Sequence, residues 1–119
     1  MIMFGLDNDT INIIIEILGK YDKIEKKVIF GSRVTGKYKK TSDIDIALYG
    51  KNISFRDLSN ICGDFDESDC VYKIDVVHYE SVGNEQLKAN IDKFGMEIWG
   101  EKIIKREQID EKISNNRGR

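Results

Sequence analysis

The chain has 119 residues, 34% of them charged, and a formal net charge of −2. That length holds one domain with a real core and is too short for two. The slight negative balance excludes a protein whose main partner is duplex DNA, because such binding rests on neutralising phosphates, and no direct sequence-specific DNA binding is expected. Apolar clusters such as Ile13-Ile14-Ile15 fall far short of a membrane span and no signal-peptide pattern opens the chain, so no membrane role and a cytoplasmic location are expected. Cys62 and Cys70, with His78 the one histidine, are too few for a disulfide framework or a structural zinc site, and read as two buried thiols in a reducing compartment.

In chain order, Asp9-Thr10 can cap a helix whose apolar residues Ile11, Ile14, Ile15 and Leu18 share one face, with Gly19 ending it. A strand follows at Val28-Ile29-Phe30, cut off by Gly31. Residues 32–41 keep no period and read as a turn or short helix plus a basic loop. Strict alternation then returns in Asp43-Ile44-Asp45-Ile46-Ala47-Leu48, with the three aliphatics Ile44, Ile46 and Leu48 on one face and the two acids on the other. Ser54 opens a second helix with Phe55, Leu58, Ile61 and Cys62 as its inner face, running into an acidic loop at 63–69. Residues 71–79 read as a third strand with Asp75 on its polar face, residues 84–94 as a helix and 96–99 as a last short strand. This alternation predicts an α+β (α/β) fold, a mixed sheet of three to four strands packed on helices. Residues 1–100 form the domain. Residues 101–119 are a polar C-terminal helix or tail with an imperfect stripe of Ile103, Ile104, Ile109 and Ile113 that suits either the chain's own domain or a partner.

The chemistry concentrates in "GSRVTGKYKKTSDID", residues 31–45. Asp43 and Asp45, two apart on a strand, project from the same face, where like charges repel unless a cation lies between them. Asp75 adds a third carboxylate if its strand is a neighbour. Three oxygen donors without a suitable His or Cys are the ligand set of a hard cation, and Mg²⁺ fits best. Gly31 lets backbone approach a ligand, and Ser32 offers a hydroxyl and an amide at a strand-to-helix turn. Arg33, Lys37, Lys39 and Lys40 add four positive charges with no acid before Asp43. The first half of the stretch therefore suits phosphate oxygens and the second a metal that bridges them.

Gly31-Ser32, ten residues, then Asp43-Ile44-Asp45 resembles the GS-x10-DxD signature of the nucleotidyltransferase superfamily related to DNA polymerase beta. The short chain and "KIDVV" at residues 73–77 resemble its minimal (MNT) members, including the MntA-type antitoxins of HEPN/MNT toxin–antitoxin pairs. The resemblance implies a small nucleotidyltransferase fold, with Gly31, Ser32, Arg33 and Ser42 contacting the nucleotide. Asp43, Asp45 and Asp75 would be the catalytic acids and would hold two Mg²⁺ ions. ATP would be the substrate, attacked at its α-phosphorus so that AMP is transferred. The implied acceptor is a tyrosine of a HEPN ribonuclease toxin, as in a type VII-like antitoxin. Many relatives carry Arg at the position of Thr35, which shifts the expected phosphate grip towards Arg33 and the lysines. Two alternatives stand beside this: an antitoxin that only binds its partner, and transfer to a small molecule, against which the small size argues. His78 at a strand end reads as partly buried rather than catalytic, and Trp99 as a packed edge or a partner contact. Tyr38 reads either as a base-stacking ring or as cover for apolar surface.

Overall fold

In the computed structural model, residues 4–99 and 102–105 are described. The first helix, α1 (Asn8–Leu18), is capped two residues before the Asp9-Thr10 cap expected from sequence. Asp7 is the cap, its side chain accepting from the Thr10 amide at 2.9 Å, and Thr10 is buried. Gly19 closes the helix as expected. Strand β1 (Lys26–Phe30) leads through Gly31 into the single turn α2 (Ser32–Thr35), and a basic loop returns to β2 (Ile44–Tyr49). A capping box on Ser54, completed by Asp57, opens α3 (Phe55–Glu67). This helix runs through Gly63 and absorbs most of the segment expected as an acidic loop. Its buried residues are Ile61 and Phe65, whereas Phe55, expected on the inner face, is 86% exposed in the first turn.

Strand β3 (Ile74–His78), a short 3₁₀ turn (Tyr79–Ser81), α4 (Glu85–Phe94, capped by Asn84), β4 (Met96–Trp99) and β5 (Lys102–Lys105) follow. The sheet order is β3-β2-β1-β4-β5. β2 pairs parallel with β3 and every other neighbouring pair is antiparallel, so the α+β fold with a mixed sheet is present. It has one strand more than expected. Residues 102–105, expected within a helical stripe, extend the sheet on β4, while Ile109 and Ile113 lie outside the described residues.

Period-2 alternation distributes the core over both faces of this sheet. Ile29, Ile44, Ile46, Leu48 and Ile98 meet α1 and α3 on one side. Val28, Phe30 and Ala47 meet Ile91 of α4 on the other, with Leu87, Val77 and Tyr49 around them. Full burial of each such aliphatic is worth about 1.5–3 kcal/mol, so the two layers hold the β2–β3 frame that carries the acids. Asp43, Asp45 and Asp75 share the parity of Ala47 and Val77. They therefore lie on the α4 side, at the end of the sheet where β1 finishes and β2 and β3 begin. Among the described residues no helix is long and apolar enough to cross a membrane.

Candidate functional site

The parallel register settles whether the third acid joins the first two. Asp45 is the direct partner of Asp75 across β2 and β3, and Phe30, the residue before Gly31, is the partner of Asp45 across β1 and β2. Three strands thus bring the glycine turn and two carboxylates from distant parts of the chain to one point, with Asp43 one step along the same face.

Gly31 is required there for two independent reasons. Its φ of 84° lies where L side chains are strained. A methyl group on its Cα would also sit 2.3 Å from Oδ2 of Asp45. The carboxylate therefore packs over the bare glycine backbone, and a side chain at position 31 would force it to shift. Ser32 opens α2, and its carbonyl accepts from the Lys37 amide at 3.1 Å.

The electrostatics follow from this crowding. Burial pushes the Asp45 carboxyl up to about 6, and the charges of Asp75 and then Asp43 add to the rise. Among the described residues one ion pair stands against this excess: Lys73 Nζ is 3.9 Å from Asp75 Oδ1, with both side chains substantially exposed. Such a pair contributes little by itself. Lys73 was not singled out from sequence, although its place two residues before Asp75 on an alternating strand puts it on the same face. The Asp75 charge also reaches across to α3, where burial first, then Asp66 and Asp75, raise the Cys62 thiol.

The chemistry of this donor set fits a hard divalent ion. All three groups are carboxylates, and their mutual repulsion is what a cation would relieve. Among the described residues no trio of His, Cys, Asp or Glu is gathered tightly enough to cage a metal. Mg²⁺ does not need such a cage, since it is usually held by one or two carboxylates with water and phosphate oxygens completing the shell.

Two expected nucleotide contacts are placed differently. Arg33 is 1% exposed and points into the protein, its guanidinium donating to the carbonyls of Phe4, Lys40 and Ser42. Its charge is engaged inside the fold and does not reach out to a phosphate. Ser42 is committed to its own loop: its Oγ accepts from the Lys39 amide at 2.7 Å, and its amide donates to the Lys39 carbonyl at 3.0 Å. Lys37, Lys39 and Lys40 remain exposed on the outside of that loop. Tyr38 covers Arg33, its ring 4.8 Å from the guanidinium carbon, and fills the space over Gly5. His78 lies at the opposite end of β3, with Nε2 2.7 Å from the Gly50 carbonyl and Nδ1 2.7 Å from the Ser81 hydroxyl.

The sequence profile of the family described as "Polymerase beta, Nucleotidyltransferase" matches residues 12–104, a span that includes the turn, all three acids and all of the sheet but its last residue. The chain belongs to the polymerase beta nucleotidyltransferase family. Comparison with curated protein sequences gives no match. Among solved structures, a toxin–antitoxin complex with AMP-PNP contains a chain of 25% identity and TM-score 0.64, covering 76% of this chain and 73% of that one. A tri-AMPylated Shewanella oneidensis HEPN toxin in complex with MNT antitoxin gives 23% identity and TM-score 0.60, with 89% and 78% covered. The MntA–HepT toxin–antitoxin gives 24% and 0.53, with 88% and 78% covered. The last two identities establish likeness of fold alone.

Proposed function

We propose that this member of the polymerase beta nucleotidyltransferase family transfers AMP from ATP to a tyrosine hydroxyl of a HEPN-type toxin, and so acts as an antitoxin. The observation that carries this reading is the assembly of Gly31, Asp45 and Asp75 at one point, with the Asp45 carboxylate seated on the glycine backbone and Asp75 directly beside it. It is supported by the family match and by the likeness to a toxin–antitoxin chain solved with a nucleotide analogue.

In this reading each residue has a distinct task. The bare backbone at Gly31 admits the polyphosphate against β1, and Ser32 supplies hydroxyl and amide donors to its oxygens. Exposed Lys37, Lys39 and Lys40 raise the local concentration of the anionic nucleotide. Asp43, Asp45 and Asp75 would hold Mg²⁺. Bound there, the metal supplies charge neutralisation at the phosphates and activation of the attacking oxygen. Asp75, on the edge strand of the cluster, would accept the proton of the acceptor hydroxyl, with the exposed Lys73 ammonium 3.9 Å from it.

The test is incubation with ATP, Mg²⁺ and a cognate HEPN protein, read by intact mass. Addition of AMP to the toxin is expected, and it should disappear with the Asp43→Asn, Asp45→Asn double variant. Toxin neutralisation that survives in that variant would instead identify an antitoxin that works by covering its partner.

A further inference from the structure

Arg33 is the one charged residue among the described residues that is buried. Removing a guanidinium from water is expensive unless its donors are satisfied. Nη1 donates to the Phe4 carbonyl at 3.1 Å, and Nη2 donates to the carbonyls of Lys40 at 3.1 Å and Ser42 at 2.9 Å. Nε has no partner. Tyr38 and Tyr72 sandwich the guanidinium, each ring centroid 4.8 Å from Cζ, so aromatic faces replace the remaining solvent. Among the described residues no carboxylate pairs with it. What Arg33 binds is backbone, and two of its three acceptors lie in the loop that delivers Asp43.

That loop has no secondary structure of its own. It is closed by the reciprocal bonds between Lys39 and Ser42 and tied to α2 by the Lys37 amide. Nothing in those local bonds fixes where the closed turn sits relative to β1. Arg33, fastened to the start of α2 immediately after Ser32, supplies that link from inside, and the carbonyl of Ser42 that it grips belongs to the residue before Asp43.

We propose that Arg33 is a positioning residue for the nucleotide site, a backbone clamp that locks the 37–42 loop so that Asp43 meets the Gly31–Ser32 turn, where the sheet already holds Asp45, in one fixed arrangement. This inference rests on the nucleotidyltransferase reading. The role needs a planar fork that reaches several carbonyls while lying flat between two rings; a lysine ammonium keeps the charge and loses that geometry.

Arg33→Lys in the full chain tests it by two measurements, hydrogen exchange of the Lys37, Lys39 and Ser42 amides and affinity for Mg²⁺–AMP-PNP. Ile53→Val, a loosening of the core at the far end of the sheet, serves as a control for general destabilisation. With cooperative melting retained, Arg33→Lys is expected to speed exchange of the three amides at least about tenfold and weaken nucleotide binding about tenfold, the effect of losing roughly one net hydrogen bond's worth of constraint. The control should change neither. Unchanged exchange in Arg33→Lys, faster exchange with unchanged affinity, or equal changes in Ile53→Val would each overturn the proposal. Should Arg33→Lys fail to fold, Tyr38→Ala uncovers one side of the guanidinium and is judged by the same criteria. A wild-type protein that binds no nucleotide removes the functional reading and the positioning role with it. A binding wild type beside an unaffected Arg33→Lys removes only the clamp.

Discussion

The two ends of the β2–β3 ribbon are built on the same strands and the same face, yet their electrostatics are opposite. At the far end Tyr49 and Tyr79 stack with centroids 4.2 Å apart, Lys26 and Lys88 lie over their rings, and the Tyr79 hydroxyl donates to Asp92 at 2.8 Å. His78 and Glu80 close that end on Gly50, whose amide donates to the Glu80 carboxylate. The charges of Lys26, Lys88, Asp92 and Glu80 there each have a local partner. At the near end three carboxylates converge with one exposed lysine 3.9 Å from one of them, and one carboxyl is pushed up to about 6. Repulsion left standing at one end of a paired ribbon is the feature that supports reading this end as the candidate site.

This contrast breaks most sharply under charge removal at the near end. The Asp43→Asn, Asp45→Asn double variant should lower AMP transfer on the order of a thousandfold or more while leaving the apo protein folded, as shown by single-turnover rates beside a thermal melt. Next comes Gly31→Ala. It meets both the Asp45 carboxylate and an unfavourable φ, so a loss of about 2–4 kcal/mol by denaturant titration is expected. Gly36→Ala is the internal comparison, since Gly36 has φ of +82° and nothing within 4 Å of the added methyl. It should show the backbone penalty alone, about 1 kcal/mol. Equal losses at the two glycines would mean that the Asp45 contact is not tight.

A smaller effect, of opposite sign, is expected from Asp45→Asn in the absence of metal. The folded chain holds this proton up to about pH 6 and the unfolded chain only to about its ordinary value of 3.8. Stability therefore falls as pH rises through that window and stays lowered above it. The amide has no such penalty, so melting at pH 7.5 should rise by an amount on the order of 1–2 kcal/mol after allowance for solvent screening, and the gain should vanish below about pH 4. Mg²⁺ should narrow the difference by stabilising the wild type. The smallest change belongs to the far end. Tyr79→Phe removes an exposed hydrogen bond to Asp92 and should shift stability by about 0.5–1 kcal/mol with transfer unchanged. A loss of transfer there would show that the two ends are coupled.

Much of the near end was legible in the sequence because its logic is local. Alternation placed Asp43 and Asp45 on one face and Asp75 on the polar side of another strand; the parallel register then joined them. The glycine was legible as a point of close approach, though the group approaching it from within, Asp45, was not. Arg33 was misread for a physical reason. A cation among lysines looks solvated, and only the tertiary placement of Tyr38, Tyr72 and three carbonyls turns it inward. Phe55 was misread because helical periodicity does not show where a helix overhangs the sheet it packs on. Strand β5 was missed because Ile103 and Ile104 satisfy a helical stripe as readily as a strand, and β4 decides between them.

The parallel pairing of β2 with β3 also bears on when the site comes into being. An antiparallel pair can close through a hairpin, but a parallel one has to wait for its crossover, here α3, to dock. Gly31, Ser32, Asp43 and Asp45 lie within fifteen residues of chain, whereas Asp75 arrives beside Asp45 only when that crossover has closed. A chain still emerging from the ribosome therefore carries most of the signature without the assembled cluster.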